Sequence, residues 1–336
     1  MRRLAVHGLT VALEGGFEAA LDEVFRDFAW FASASDAGAP DVVVRLERGA
    51  PDWDAFGPLE AAFVTPRNVV YEDGARTVID WFGRASGVLS RADGTLVVRG
   101  EDVHLVHEAA YLFLLSRIGE HLDALGLPRL HALALSGRGG GAVAVMLPSG
   151  GGKSTLAVRA LRADGVRLLA EDTPLLDSAG CLHPFPLRIG VNPADAESLP
   201  PGHVRRVERM EFHPKLLVDL DGFRDRVEPA PQPLRHLVVG ARSLAREPRL
   251  ERVPRRAAAG ALFRECVVGL GVYQGMEFVL QRGMRDVAGK AGTAAMRARC
   301  CAAALRRAQV WRLVLGRDHD ANWRALEPLL AQHRPG

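Results

Sequence analysis

The chain has 336 residues, 48% of them hydrophobic and 25% charged, a globular mix with room for two domains. A formal net charge of +3 argues against a protein that holds nucleic acid by neutralising phosphates. Only Lys153, Lys215 and Lys290 are lysines, and the remaining basic residues are arginine, so arginine abundance alone says little about anion binding.

The first hundred residues predict a small α+β unit. The opening MRRLAVHGLTVALEGG reads as a strand, Leu4–Leu13, rather than a signal peptide, because His7 and Thr10 interrupt the apolar run and Glu14 ends it. A helix is expected over Gly16–Phe28 and strands over Asp41–Leu46, Asn68–Tyr71, Arg76–Ile79 and Thr95–Arg99, with turns at Asp73-Gly74 and Asp93-Gly94. Over Glu101–Leu125, apolar residues recur at helical spacing until Gly126 and Pro128 end the run. This helix is expected to bridge into a second domain, which divides the chain into 1–115 and 116–336. His104, His107 and His121 on it read as packing or surface residues rather than metal ligands. The most apolar stretch, Ala109–Leu115, is far short of the roughly 20 residues of a membrane span.

From Leu130 the pattern changes to strand, strand, loop, helix, strand: Leu130–Ser136, Gly141–Leu147, a glycine loop, Ser154–Ala163 and Val166–Ala170. Beyond it, Pro193–Arg205 and Val227–Pro233 read as loops, Arg235–Val239 as a strand and Arg256–Val268 as a helix. Gln309–Leu315 then reads as a strand and Ala321–Gln332 as a closing helix. Cys181, Cys266, Cys300 and Cys301 contain no CxxC pair, and adjacent cysteines rarely satisfy disulfide geometry. They are expected to be reduced core residues of a cytoplasmic protein.

The loop Pro148-Ser149-Gly150-Gly151-Gly152-Lys153-Ser154-Thr155 follows an apolar strand and opens a helix, the context a phosphate-binding loop requires. Successive glycines let backbone N–H groups converge on an anion at a helix N-terminus. Lys153 is placed to reach the β- and γ-phosphates, and Ser154 to offer a hydroxyl to Mg²⁺. The segment Ser149 to Thr155 is therefore the candidate nucleotide cradle. The pair Glu171-Asp172 ends the next strand. One acid of such a pair can hold Mg²⁺ while the other takes the proton of an attacking hydroxyl.

These residues resemble the HPr kinase/phosphorylase family and, more remotely, the kinase loops of PEP carboxykinase. That family pairs a loop G-x-S-G-x-G-K-S with two aspartates a short way downstream, and has a histidine on the strand before the loop strand. Here those positions hold Ser149 to Ser154, Glu171-Asp172 and His131, and the resemblance spans about Leu130–Val191. The departures are Leu147 for the first glycine, Glu171 for the first aspartate and Ala132 for the glycine after the histidine. A loop like PSGGGKST also occurs in ABC-transporter ATPases, but their signature and downstream D-E pair have no counterpart here.

The resemblance implies an α/β, PEP-carboxykinase-like kinase domain behind a small N-terminal domain that recognises a substrate or partner. It implies ATP and Mg²⁺ as cofactors and a hydroxyl acceptor, a serine of a protein or precursor peptide, since divergent members occur beside peptide-modification genes. By position in the family's pair, Glu171 is expected as the base and Asp172, with Ser154, as the metal ligand, with His131 and Arg188 as further catalytic candidates. The family's second signature, which carries phosphorolysis, is missing, so a one-way kinase is expected. A non-catalytic nucleotide-binding module and a small-metabolite kinase remain open, as does a homo-oligomer. Phe212-His213-Pro214-Lys215 reads as a surface turn, and Gly269–Gly275 as a flexible substrate-side loop.

Overall fold

The computed structural model describes residues 1–35, 38–90, 92–200, 202–208, 214–269 and 284–331. Of 284–290 only the backbone is described. The chain forms two compact units, Met1–Ile118 with Arg206–Lys215, and Gly119–Arg205 with Leu216–Gly336. It is a mixed α/β structure with several sheets, and no helix among the described residues is long and apolar enough to cross a membrane.

The first unit is built on one nine-stranded sheet. In chain order its strands are β1 (Arg2–Val6), β2 (Leu9–Glu14), β3 (Ala32–Ser33), β4 (Val42–Arg48), β5 (Ala61–Val64), β6 (Val69–Asp73), β7 (Arg76–Asp80), β8 (Ala85–Ser90) and β9 (Thr95–Gly100). Their spatial order is β3-β1-β2-β4-β9-β8-β7-β6-β5. The single strand expected over Leu4–Leu13 is instead a hairpin, because His7 and Gly8 both take positive φ, at 47° and 90°, and reverse the chain in two residues. Helix α1 (Glu18–Asp27) buries Ala20, Leu21 and Val24. Helix α2 (Val103–Ala124) is buried on several faces through Leu105, Val106, Ala109, Ala110, Phe113 and Leu114, so an apolar stripe understates it. Within this unit the His107 imidazole meets the Asp27 carboxylate at 2.7 Å, both sealed from water.

In the second unit, β10 (Leu133–Ser136), β11 (Ala142–Met146) and β12 (Arg167–Ala170) are joined by helix α3 (Lys153–Arg162) between β11 and β12. The short strands β13 (Leu175–Leu176), β14 (Cys181–His183) and β15 (Ile189–Val191) follow, then helix α4 (Pro193–Glu197), β16 (Val204–Val207), which runs into the segment grouped with the first unit, and β17 (Lys215–Val218), which leaves it. Then come β18 (Gln232–Arg242), β19 (Arg249–Arg252), helix α5 (Ala259–Leu262), α6 (Met284–Arg307), β20 (Gln309–Leu315) and α7 (His319–Ala331). The main sheet runs β12-β10-β11-β18-β14-β13, with β20 also on β18 and β19 on β20.

Alternate residues of the central strands face opposite sides, as the period of two demands. Leu133, Leu135, Val143 and Val145 pack with Leu156 and Leu161 of α3 and with Leu326 and Leu330 of α7. Ala132, Ala134, Ala142 and Ala144 pack with Leu262, Cys266, Cys300, Cys301 and Ala304. A sheet covered on both faces explains why these strands read as continuous apolar runs. The alanine face leaves little side chain between strand and helix, so helices on that side can approach closely. The helix expected over Arg256–Val268 is three pieces: a 3₁₀ turn (Arg255–Ala258), α5, and a π turn (Phe263–Val268).

Candidate functional site

The loop after β11 leaves the sheet at Leu147. Where the resembling family has glycine, Leu147 is buried in the core. It fits because residue 240 on the neighbouring β18 is glycine, and a Cβ there would collide with the Leu147 side chain. Gly151 donates its N–H to the Pro148 carbonyl at 2.8 Å. Gly152, at φ 110°, is the N-cap of α3, a left-handed conformation that favours glycine. A Cβ on Gly151 would lie 2.7 Å from the Pro148 carbonyl oxygen. With no side chain on the cap, the first-turn N–H groups of α3 keep their donor capacity toward a ligand.

Lys153, the first residue of α3, is only 6% exposed. Its Nζ donates to the Leu147 carbonyl at 3.0 Å, meets His131 Nε2 at 2.8 Å and lies 3.3 Å from Asp172 Oδ1. His131 is held by backbone on both sides of the segment entering β10. Its own N–H donates to the Glu265 carbonyl at 3.0 Å, and the Ala132 N–H donates to the Asp172 carbonyl at 3.0 Å. Its ring joins Glu265 Oε2 through Nδ1 at 2.7 Å and Asp172 Oδ1 through Nε2 at 3.1 Å. A carboxylate only accepts, so Nδ1 carries the hydrogen. Nε2 then faces an ammonium and a carboxylate together: bare, it accepts from Lys153; protonated, it donates to Asp172.

Burial disfavours the charged form of His131, but the hydrogen bond and charge of Asp172, with help from Glu265, outweigh this and raise its pKa. Burial likewise works against ionised Asp172, and His131 and Lys153 overcome it, lowering its pKa. The Glu265 carboxyl is lowered in the same way, with His131 and then Arg264 overcoming its burial.

The acidic pair divides between two places. Glu171 accepts from the Ser154 hydroxyl at 2.6 Å, while Asp172 faces His131 and Lys153. By position, Glu171 rather than Asp172 stands beside Ser154, the hydroxyl expected to share the metal with Asp172. The two strands that carry loop and acids are also not neighbours. Strand β10 lies between β11 and β12, antiparallel to both, so β11 and β12 end at the same edge of the sheet. Thr155 donates to Asp195 at 2.8 Å, and the Asn192 side chain donates through Nδ2 to Asp195 Oδ2 and accepts at Oδ1 from the Asp195 N–H. Beside the loop is a small depression lined by Gly151, Gly152, Thr155, Leu156, Arg242, Leu315, His319 and Asn322.

Of the other candidates, Ser149 and Gly150 lie on the loop, and Arg188 is half-buried just ahead of β15. Lys215 opens β17, whereas Phe212, His213 and Gly271 to Gly275 lie outside the described residues. Among the described residues no cluster of three or more His, Cys, Asp or Glu side chains is arranged to hold a metal by itself.

Sequence reading missed Glu265 and Asp195. Asp195 carried a weak sign, an Asn-Pro helix start. Glu265 carried a stronger one: Ala258, Ala261, Leu262 and Cys266 are buried at helical spacing, and Glu265 falls on the same stripe. No protein-family model matches the chain, and no curated protein matches it in sequence.

Proposed function

We propose that this protein is an ATP- and Mg²⁺-dependent kinase of the HPr-kinase-like type, with a PEP-carboxykinase-like second domain, that phosphorylates a hydroxyl, most simply a serine of a protein or peptide. One observation carries the reading: a nearly buried lysine at the end of a triple-glycine loop, set against a carboxylate and a histidine. The loop suits a phosphate chain, since α3 opens on Gly152 with no side chain capping its first-turn N–H groups. Ser154 and Glu171 offer the hard oxygen donors that Mg²⁺ takes, usually only one or two from protein. Bound there, Mg²⁺ would neutralise charge on the phosphates.

The chain's own residues then divide the work. Lys153 offers positive charge to the transferring phosphoryl group. Asp172 accepts the proton of the acceptor hydroxyl as its oxygen bonds to the γ-phosphorus and the bond to the leaving β-phosphate oxygen breaks. A carboxylate held ionised is a weak base, but in a loose phosphoryl transfer the proton leaves late, and orienting the hydroxyl matters most. His131 holds Asp172 and Lys153 in mutual register. The first unit is assigned to acceptor recognition.

Glu171→Gln and Asp172→Asn separate the roles. Glu171→Gln is expected to raise the Mg²⁺ requirement and weaken MgATP binding. Asp172→Asn is expected to spare binding and lower transfer by about 10²–10⁴-fold. MgATP binding by titration calorimetry and labelled-phosphate transfer check both. Near-wild-type transfer in both variants would sink the assignment.

A further inference from the structure

We infer that Glu265 is the positioning residue of this site, fixing the His131 ring so that Nε2 is presented to Lys153 and Asp172; its catalytic consequence rests on the kinase reading. Two contacts run from this one residue to His131, the backbone carbonyl to the His131 N–H at 3.0 Å and the carboxylate to Nδ1 at 2.7 Å. Main chain and ring of the histidine are thus registered to a single point, 134 positions away in sequence.

The location is costly for a charge. The Glu265 side chain is 10% exposed, and its neighbours on the same helical stripe are Ala261, Leu262 and Cys266. An ionised carboxylate is kept in such a place only when hydrogen bonds satisfy it. One oxygen goes to His131. The other accepts from Arg264 Nε at 2.8 Å, whose side chain reaches the exposed surface. The backbone bears the same mark. Residues 263–268 form a π turn, an irregularity that re-aims side chains and is frequent at functional sites.

The consequence concerns the tautomer. While Nδ1–H is committed to Glu265, Nε2 is left to accept from the Lys153 ammonium or, once protonated, to donate to Asp172. Without Glu265 the neutral ring is free to carry its hydrogen on Nε2. It would then point an N–H at an ammonium 2.8 Å away, and Lys153 would lose that partner. A carboxylate that orients a histidine is a general device for setting which ring nitrogen acts.

Two readouts on Glu265→Ala and Glu265→Gln test this. The first needs no catalysis: ¹⁵N shifts of labelled histidine rings at pH 8, with His131 identified by the signal lost in His131→Asn. Wild type and Glu265→Gln, which keeps an acceptor oxygen, are expected to show the Nδ1–H form, and Glu265→Ala a shift toward Nε2–H. The second is MgATP turnover with water as acceptor. There Glu265→Ala is expected to lose about 10–100-fold in kcat with KM for ATP within a factor of about 2, and Glu265→Gln to regain most of the loss. If the alanine variant melts below assay temperature, Glu265→Asp, too short to keep the 2.7 Å contact, takes its place. An unchanged His131 tautomer in the alanine or aspartate variant overturns the inference. So does wild-type kcat in either variant, or an equal loss in Glu265→Gln. In a wild-type protein without turnover on water the tautomer shift alone decides the inference, and the kinase reading rests on the MgATP-binding and transfer test of Glu171→Gln and Asp172→Asn.

Discussion

Each unit of the chain buries a histidine against a carboxylate, and the two pairs differ in what surrounds them. His107 and Asp27 in the first unit are 2% and 0% exposed. His131 in the second unit is as buried, but Asp172, its partner, is 41% exposed, and a lysine and a second carboxylate share the ring. A sealed pair contributes to holding a fold and has no face toward a substrate. A group with one open carboxylate, a buried cation and a glycine loop beside it has such a face. Burial of the two histidines is therefore alike, and solvent access to their partners is what separates them.

The largest effect that would sharpen this contrast is on stability. His107→Ala removes the imidazole facing a sealed carboxylate and is expected to destabilise the first unit by about 3–5 kcal/mol, with MgATP binding intact at temperatures where the protein stays folded. Denaturant melts monitored alongside nucleotide binding check it. A loss below about 1 kcal/mol would erase the distinction. Lys153→Met is expected to do the reverse. Transfer falls by about 10²–10³-fold, as for loss of one electrostatic donor, while the melting midpoint stays near that of wild type. Wild-type turnover in that variant would leave the loop without its assigned role.

Gly151→Ala is expected to cost about 1–3 kcal/mol, because the added Cβ meets the Pro148 carbonyl oxygen at 2.7 Å and the Leu147 Cβ at 3.0 Å. It should also weaken MgATP binding, since the loop must open to relieve the contact. Gly150→Ala, with open space around its Cβ, shows only the smaller strain of a positive φ of 71°. The two melts compared directly separate crowding from backbone conformation.

The smallest effect is in the pH dependence. The folded-state pKa of His131 is raised, so its stabilising contribution is complete below the unfolded value, about 6.5, and is lost as pH rises through the folded value. The gap in melting midpoint between wild type and His131→Asn should therefore narrow as pH rises above neutral. Asp172 and Glu265 are lowered, so their contributions are present above about 4 and are lost as pH falls through their folded values. A gap that widens on the alkaline side would contradict the sign for His131.

Legibility followed distance along the chain. The loop, its lysine and the Glu171-Asp172 pair stand close together in sequence, and backbone rules tie each to a strand end or a helix start. Glu265 reaches His131 across 134 positions, and no local rule connects them. Its only trace was a charge on an apolar stripe, within a segment read as a plain helix. The hairpin at His7-Gly8 was missed for a different reason: His-Gly is not among the Asn-Gly, Asp-Gly or Gly-Gly pairs that mark a two-residue hairpin turn.

Composition and period by themselves determined an α/β chain with a triple-glycine loop between strand and helix, because glycine conformations and apolar alternation are local properties. Tertiary structure decided how the acidic pair divides. Adjacent residues at a strand end point to opposite sides, and only the placement of β10 between β11 and β12 sets Glu171 on Ser154 and Asp172 on Lys153. It also decided that Leu147 is tolerated where the resembling family has glycine, since the space it fills is left by Gly240 on a strand far along the chain. Packing complementarity of that kind depends on which strands become neighbours, and the sequence states this nowhere.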